Sequence, residues 1–182
     1  MGLDYSSGCV NFRDVGEALE LIADVQVFPT RRLFRGGKID FVTDLTAIQD
    51  PATILNLRRG TDPQHLPATY AHFSASNDLE KYETSDREVR RWLNDVVSFF
   101  GAPDTMFPVL VHCTSGKDRT GVVIAALLTI AGIERPLIIE EYLLSDGDVR
   151  SEWIEVALDG IANVDRYFNR VDLQVIRNRF GV

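Results

Sequence analysis

Apolar residues along the chain follow two rhythms. Short apolar runs bounded by polar or turn residues predict strands at Val25–Phe28, Arg32–Arg35, Thr53–Leu57, Tyr70–Phe73 and Pro108–His112. Longer stretches repeat at helical spacing. From Ser85 to Phe100, the residues Val89, Trp92, Leu93, Val96 and Phe100 share one face. Ser85 and Glu88 read as a capping box for this helix, and Gly101 and Pro103 close it. Residues 121–131 are apolar all round, which predicts a helix set centrally against the sheet. Further helices are predicted near 136–144, 149–168 and 172–180, with Ser145-Asp146-Gly147-Asp148 as a turn. This alternation predicts an α/β fold: a single three-layer domain over residues 1–182, with a mostly parallel central sheet and helices on both faces. No internal repeat, low-complexity tract or linker breaks the pattern.

Composition narrows the function. An apolar content of 45% over 182 residues supports a substantial core. The net charge of −8 argues against nucleic acid as a partner and requires any positive field to be local. Two cysteines make no disulfide framework and suit a reducing compartment, so a cytoplasmic location is expected, with secretion that uses no classical signal peptide as the alternative. No basic start followed by an apolar stretch marks a signal peptide. The apolar run Val122–Ala131 is about half the length of a membrane span, so no integral membrane association is expected. Cys9 reads as a small core residue, with redox pairing to Cys113 as the alternative.

The candidate chemistry lies between the last strand and the apolar helix, in His112-Cys113-Thr114-Ser115-Gly116-Lys117-Asp118-Arg119-Thr120-Gly121. A tight polar loop running into a helix N-terminus turns backbone N–H groups toward one point and adds partial positive charge there. Such a cradle fits a phosphoryl group and favours the thiolate of a cysteine at its base. Cys113 can attack phosphorus and form a phosphocysteine. Arg119 presents a planar fork to two phosphate oxygens, and fixed donors act on the charge of the transition state. Thr120 is placed to hydrogen-bond the sulfur, and His112 to orient the loop and tune the thiolate. Thr114, Ser115, Gly116, Lys117, Asp118 and Arg119 are the candidate substrate-binding residues. A Walker A reading fails: position 111 is valine and Asp118 follows Lys117.

Cys-x5-Arg-Thr after a strand resembles the cysteine-dependent protein tyrosine phosphatase superfamily. Four further segments narrow the resemblance to its bacterial and fungal tyrosine/serine phosphatase group: Asn11-Phe12-Arg13-Asp14-Val15-Gly16, Leu33-Phe34-Arg35-Gly36-Gly37, Ile54-Leu55-Asn56-Leu57-Arg58 and Glu141-Tyr142-Leu143-Leu144-Ser145. Glu17, Gly36 and Asn56 depart from that group's pattern, which has glycine, serine and aspartate there. The resemblance implies a tyrosine-phosphatase-like fold, no cofactor and no metal. It also implies a phosphorylated protein or phosphoinositide as substrate and phosphate as product. A general acid is implied on a loop some thirty residues before the cysteine, where Asp78 stands; Asp118, within the loop, is the second candidate. Lys117 reads either as a contact to an additional ring phosphate or as a general anion attractor. Arg87, Arg90 and Arg91 read as a solvated face. Arg13 with Asp14, Arg35 and Arg58 read as ion pairs supporting the loop, with substrate contact by Arg13 and Asp14 as the alternative. The rival from another class is a catalytically inactive phosphate-binding module.

Overall fold

The structure, a computed structural model, describes residues 3–6, 8–76 and 80–182. Five short strands form its sheet: β1 (Arg13–Asp14), β2 (Leu33–Gly36), β3 (Thr53–Asn56), β4 (Thr69–His72) and β5 (Val109–His112). Their order is β1-β2-β5-β3-β4, parallel throughout except for β1 against β2. Gly36 and Asn56 both register with His112, so three parallel strands end level at the residue before Cys113. Ligands in such sheets sit beyond the carboxyl ends of the strands.

Alternation along the strands divides the core. Leu33, Leu55, Val109 and Val111 point to one cluster, and Phe34, Ile54 and Leu110 to the other. The first cluster takes core residues from all seven helices of the described residues: α1 (Val15–Ala23), α2 (Arg87–Gly101), α3 (Asp118–Ala131), α4 (Arg135–Leu143), α5 (Ser151–Gly160), α6 (Val164–Tyr167) and α7 (Leu173–Phe180). The second is closed by Ile39, Val42, Leu66 and a 3-10 turn at Leu45–Ile48. The α/β class and the mostly parallel sheet stand, but the helices pack on one face rather than both. The segments leaving β2 and β3 are broken by Pro51, Gly60, Pro63 and Pro67 and have no helical apolar period. They cover the second face as irregular chain.

Other boundaries move for local reasons. Val25–Phe28 is not a strand: α1 ends at Asp24 in a left-handed conformation, Val25 is exposed, and buried Phe28 packs edge-on against Phe180 at 5.3 Å. The cap of α2 is Asp86 rather than Ser85, its carboxylate accepting from the N–H groups of Glu88 and Val89 at 2.7 and 3.2 Å. The stretch 149–168 is two helices. Glycine at 160 is required because a Cβ would fall 2.1 Å from Thr84 Oγ1, and Asn163 then caps α6. That close approach, with the Tyr167 hydroxyl donating to the Thr84 carbonyl at 2.7 Å, seats the chain just before α2 against α5 and α6.

Candidate active site

β5 carries the chain from the core to its end at His112, and α3 starts at Asp118. Cys113 is buried between them, at the base of the loop. The loop is shaped from outside. The carbonyl of Thr114 accepts from the Lys38 N–H at 3.0 Å, that of Ser115 from Asn11 Nδ2 at 2.8 Å, and that of Gly116 from Arg35 Nη2 at 2.9 Å. A trans peptide directs C=O and the following N–H to opposite sides. Three carbonyls tied outward therefore turn the N–H groups of Ser115, Gly116 and Lys117 to the opposite side. Gly116 has φ +70, and a Cβ there would lie 2.4 Å from the Gly36 backbone, so only glycine allows the loop to close on β2.

Behind Gly116 sits a buried ion cluster. Glu141 of α4 accepts from Arg13 Nε at 2.8 Å and from Arg35 Nη1 at 2.6 Å. The Ser145 hydroxyl accepts from both arginines, at 3.0 and 3.3 Å. Burial and the like charge of Arg35 push the Arg13 guanidinium down to about 10, opposed by Glu141, so it remains charged at neutral pH. On the other side of the loop, His112 Nε2 lies 2.8 Å from Asp62 Oδ2, and Asp62 Oδ1 accepts from Arg58 Nη2 at 2.8 Å.

At the start of α3, the Tyr82 hydroxyl donates to Asp118 Oδ1 at 2.8 Å and lies 2.8 Å from the Tyr142 hydroxyl. Burial first, then Tyr142 and Asp118, push the Tyr82 phenol far up, so it stays a neutral donor. A cavity of about 470 Å³ opens beside Asp118, lined by Glu80, Lys81, Tyr82, Glu83, Trp153 and Val156. Lys117 Nζ donates to the Asp148 carbonyl at 2.7 Å and stands 3.9 Å from Asp118. The side chain of Arg119 is partly buried in the first turn of α3. Thr120 Oγ1 is buried and has no partner among the described residues, so the expected bond to the sulfur is not made and the donor remains available to a bound group.

Comparisons with known proteins give the family and the fold. A model described as "Tyrosine phosphatase family" matches residues 5–181. The chain belongs to the tyrosine phosphatase family. Over 60 residues, 33% of this chain, it is 43% identical to the triple specificity protein phosphatase PtpB of Mycobacterium tuberculosis, and the match covers 21% of that relative. Over 37 residues, 20% of this chain, it is 49% identical to a tyrosine-protein phosphatase of Nostoc commune, covering 13% of it. The chain thus spans well under two thirds of these curated relatives. The fold is similar to the core catalytic domain of the PP-IP phosphatase SIW14 from S. cerevisiae, with a TM-score of 0.58 at 16% identity, covering 91% of this chain and 96% of that one. It is also similar to P. aeruginosa TpbA, with a TM-score of 0.52 at 19% identity, covering 84% and 88%.

Within this family member, several expectations change. Arg13 pairs with Glu141 rather than with Asp14, and its guanidinium is engaged behind the loop. Asp14 caps α1, accepting from the Gly16 N–H at 2.8 Å and from the Arg31 N–H. Both therefore support the fold, and their reading as substrate contacts gives way. Arg58 pairs with Asp62 and Asp40. Asp78 lies outside the described residues. Cys9 donates its thiol to the Gly37 carbonyl at 3.2 Å, and burial pushes that thiol up to about 12, which fits a packing role.

Two departures from the group's pattern have local causes. A Cβ at Gly36 would lie 2.5 Å from Cys9 Sγ, so Cys9 fills the space a side chain at position 36 would take. Asn56 both donates to the Gly60 carbonyl at 2.8 Å and accepts from the Arg58 N–H at 2.7 Å, which a carboxylate could not do. Sequence reasoning missed Glu141, Ser145, Asn11, Tyr82 and Asp62 as parts of the site. The first three stood within the quoted segments but carried no sign of a partner. Asp62 lies in an aperiodic polar stretch that gave no signal at all.

Proposed function

We propose that the chain is a single phosphatase domain that hydrolyses phosphomonoesters through a phosphocysteine. The observation that carries this is the buried Cys113 at the base of a loop whose carbonyls are tied outward, with Arg119 on the following helix turn. The sulfur attacks phosphorus, forming an S–P bond as the bond to the leaving oxygen breaks. Arg119 and the inward N–H groups hold the equatorial oxygens. The leaving oxygen needs a proton, and in this reading Asp118 gives it from Oδ2, its Oδ1 accepting from the Tyr82 hydroxyl. Water then attacks phosphorus, Asp118 takes its proton, and the S–P bond breaks to release phosphate and the thiolate. The Thr120 hydroxyl, which makes no bond to the resting thiol, donates to the sulfur as it departs. Asp78 is the competing acid, favoured by its position in the resemblance.

Phosphoprotein is the substrate class the geometry supports better than phosphoinositide. Lys117 donates to the Asp148 carbonyl, which competes with any contact to a second ring phosphate. The cavity beside Asp118 offers Tyr82, Trp153 and Val156 to an aryl ring, and Glu80, Lys81 and Glu83 to the polar chain around it. The relative PtpB is named a triple specificity protein phosphatase, which supports activity on phosphoproteins.

The test is turnover of phosphotyrosyl, phosphoseryl and phosphoinositide substrates with chelator present, alongside Cys113→Ser. Hydrolysis by the unaltered chain, abolished in Cys113→Ser while vanadate still binds, is the expected result. Substantial turnover by that variant sinks the phosphocysteine, and vanadate binding without turnover by the unaltered chain indicates an inactive binding module. Rates across leaving groups of graded acidity for Asp118→Asn and Asp78→Asn identify the acid, because its loss steepens that dependence.

A further inference from the structure

His112 is fully buried, and both of its ring nitrogens face acceptors. Nε2 lies 2.8 Å from the Asp62 carboxylate and Nδ1 lies 3.4 Å from the Cys113 carbonyl oxygen. Only a ring carrying a proton on each nitrogen donates to both. The Asp62 side chain is 2% exposed and its second oxygen is held by Arg58, which reaches Asp40 in turn at 2.9 Å. Burial alone would raise the Asp62 carboxyl. The hydrogen bond and charge of His112, and then Arg58, outweigh it and hold the group below the usual carboxylate range. Tyr70 of β4 and His65 also feel the Asp62 charge, but their hydroxyl and ring are bonded to the backbone at Leu66, Pro63 and Val42. The nearest opposite charges to Asp62 are therefore His112 and Arg58.

We infer that Asp62 is a positioning residue for the phosphatase reaction: it fixes His112 as a donor at both nitrogens, which orients the Cys113 carbonyl and places a buried positive charge one residue from the sulfur. The inference rests on the phosphatase reading; the sequence pattern pointed to His112 but not to Asp62. Its sign separates it from simpler roles. A carboxylate acting only through its own charge would repel the thiolate, so its removal would ease ionisation of Cys113. A carboxylate acting through His112 does the reverse.

The experiment follows iodoacetamide alkylation of the Cys113-containing peptide against pH, for the unaltered chain, Asp62→Asn, Asp62→Glu and the exposed control Asp104→Asn. In Asp62→Asn the midpoint is expected to rise by about one pH unit, about tenfold slower alkylation at a fixed acidic pH. Asp62→Glu recovers most of the shift and Asp104→Asn shows none. A midpoint that falls or stays put in folded Asp62→Asn overturns the proposal. Should Asp62→Asn not fold, nitrogen NMR of the His112 ring in the unaltered chain decides. Two protonated nitrogens near neutral pH are expected, and a neutral ring overturns it. Neither readout needs turnover. A chain inactive on every phosphomonoester that still shows the shift would end the phosphatase reading and leave the Asp62–His112 coupling standing.

Discussion

Charged groups hold the cradle from two sides, and the two sides are built differently. Behind Gly116, Arg13 and Arg35 share the single carboxylate of Glu141, and Arg35 and Glu141 are at most 1% exposed. Beside Cys113 the charges alternate and grade outward, from His112 and Asp62 through Arg58 to Asp40, whose side chain is 34% exposed. The first cluster is closed, and its three charged groups carry one surplus positive charge that Asp146 near Arg13 partly offsets. It cannot relax without leaving a buried ion unpaired, so it fixes geometry. Its surplus also favours an anion in the loop. The second is an open chain with water at its far end, which suits it to setting charge at its buried end. One side shapes the site and the other conditions its nucleophile.

The largest expected effect comes from breaking the closed cluster. Glu141→Gln leaves two guanidinium groups without their anion and should cost about 3–5 kcal/mol in denaturant unfolding. A loss under about 1 kcal/mol would mean the two sides do not differ as argued. Asp62→Asn should cost about 1.5–3 kcal/mol, the range for hydrogen bonds to charged groups, while its chief signature remains the pH profile. Ser145→Ala removes a hydroxyl shared by the two arginines and should cost about 1 kcal/mol, with turnover reduced through the displaced Gly116 carbonyl. Asp40→Asn at the wet end should cost less than about 1 kcal/mol and vanish in high salt.

Acid sharpens the comparison further. The folded Asp62 carboxyl is held low, so its stabilisation is complete above about 3.9 and lost as pH falls through its folded value. Urea melts at falling pH should therefore show Asp62→Asn and the unaltered chain converging in the acid. A gap that stays constant would sink this assignment.

The strands β2 to β5 and the helices α2, α3, α4 and α7 were legible because each has a clear apolar period or a tight polar boundary. The loop was legible because its residues are contiguous. What escaped is long-range. β1 is two residues long and exists only through pairing with β2, so no local pattern could mark it. Phe28 looked like a strand residue because it is buried, but a tertiary contact with Phe180 buries it. Arg13 was assigned to its neighbour Asp14, yet a β-strand points successive side chains to opposite faces, and its true partner is 128 residues away. Asp62 belongs to the same class: its meaning depends on which strand end it folds against.

Asn11 ties these distances together. At φ 56 in the left-handed region, it donates to the Ser115 carbonyl and accepts from the Asp146 N–H at 2.7 Å, clasping segments 104 and 135 residues further along the chain. A chain made from its N-terminus contains Cys113 before the rest of this clasp has been synthesised. Asp146 follows Ser115 by 31 residues, which at about 5–20 residues per second is a delay of roughly 2–6 s. During that interval the thiol is present and its cradle is not. A released chain truncated before Asp146 should carry Cys113 without its reactivity, which the full chain has.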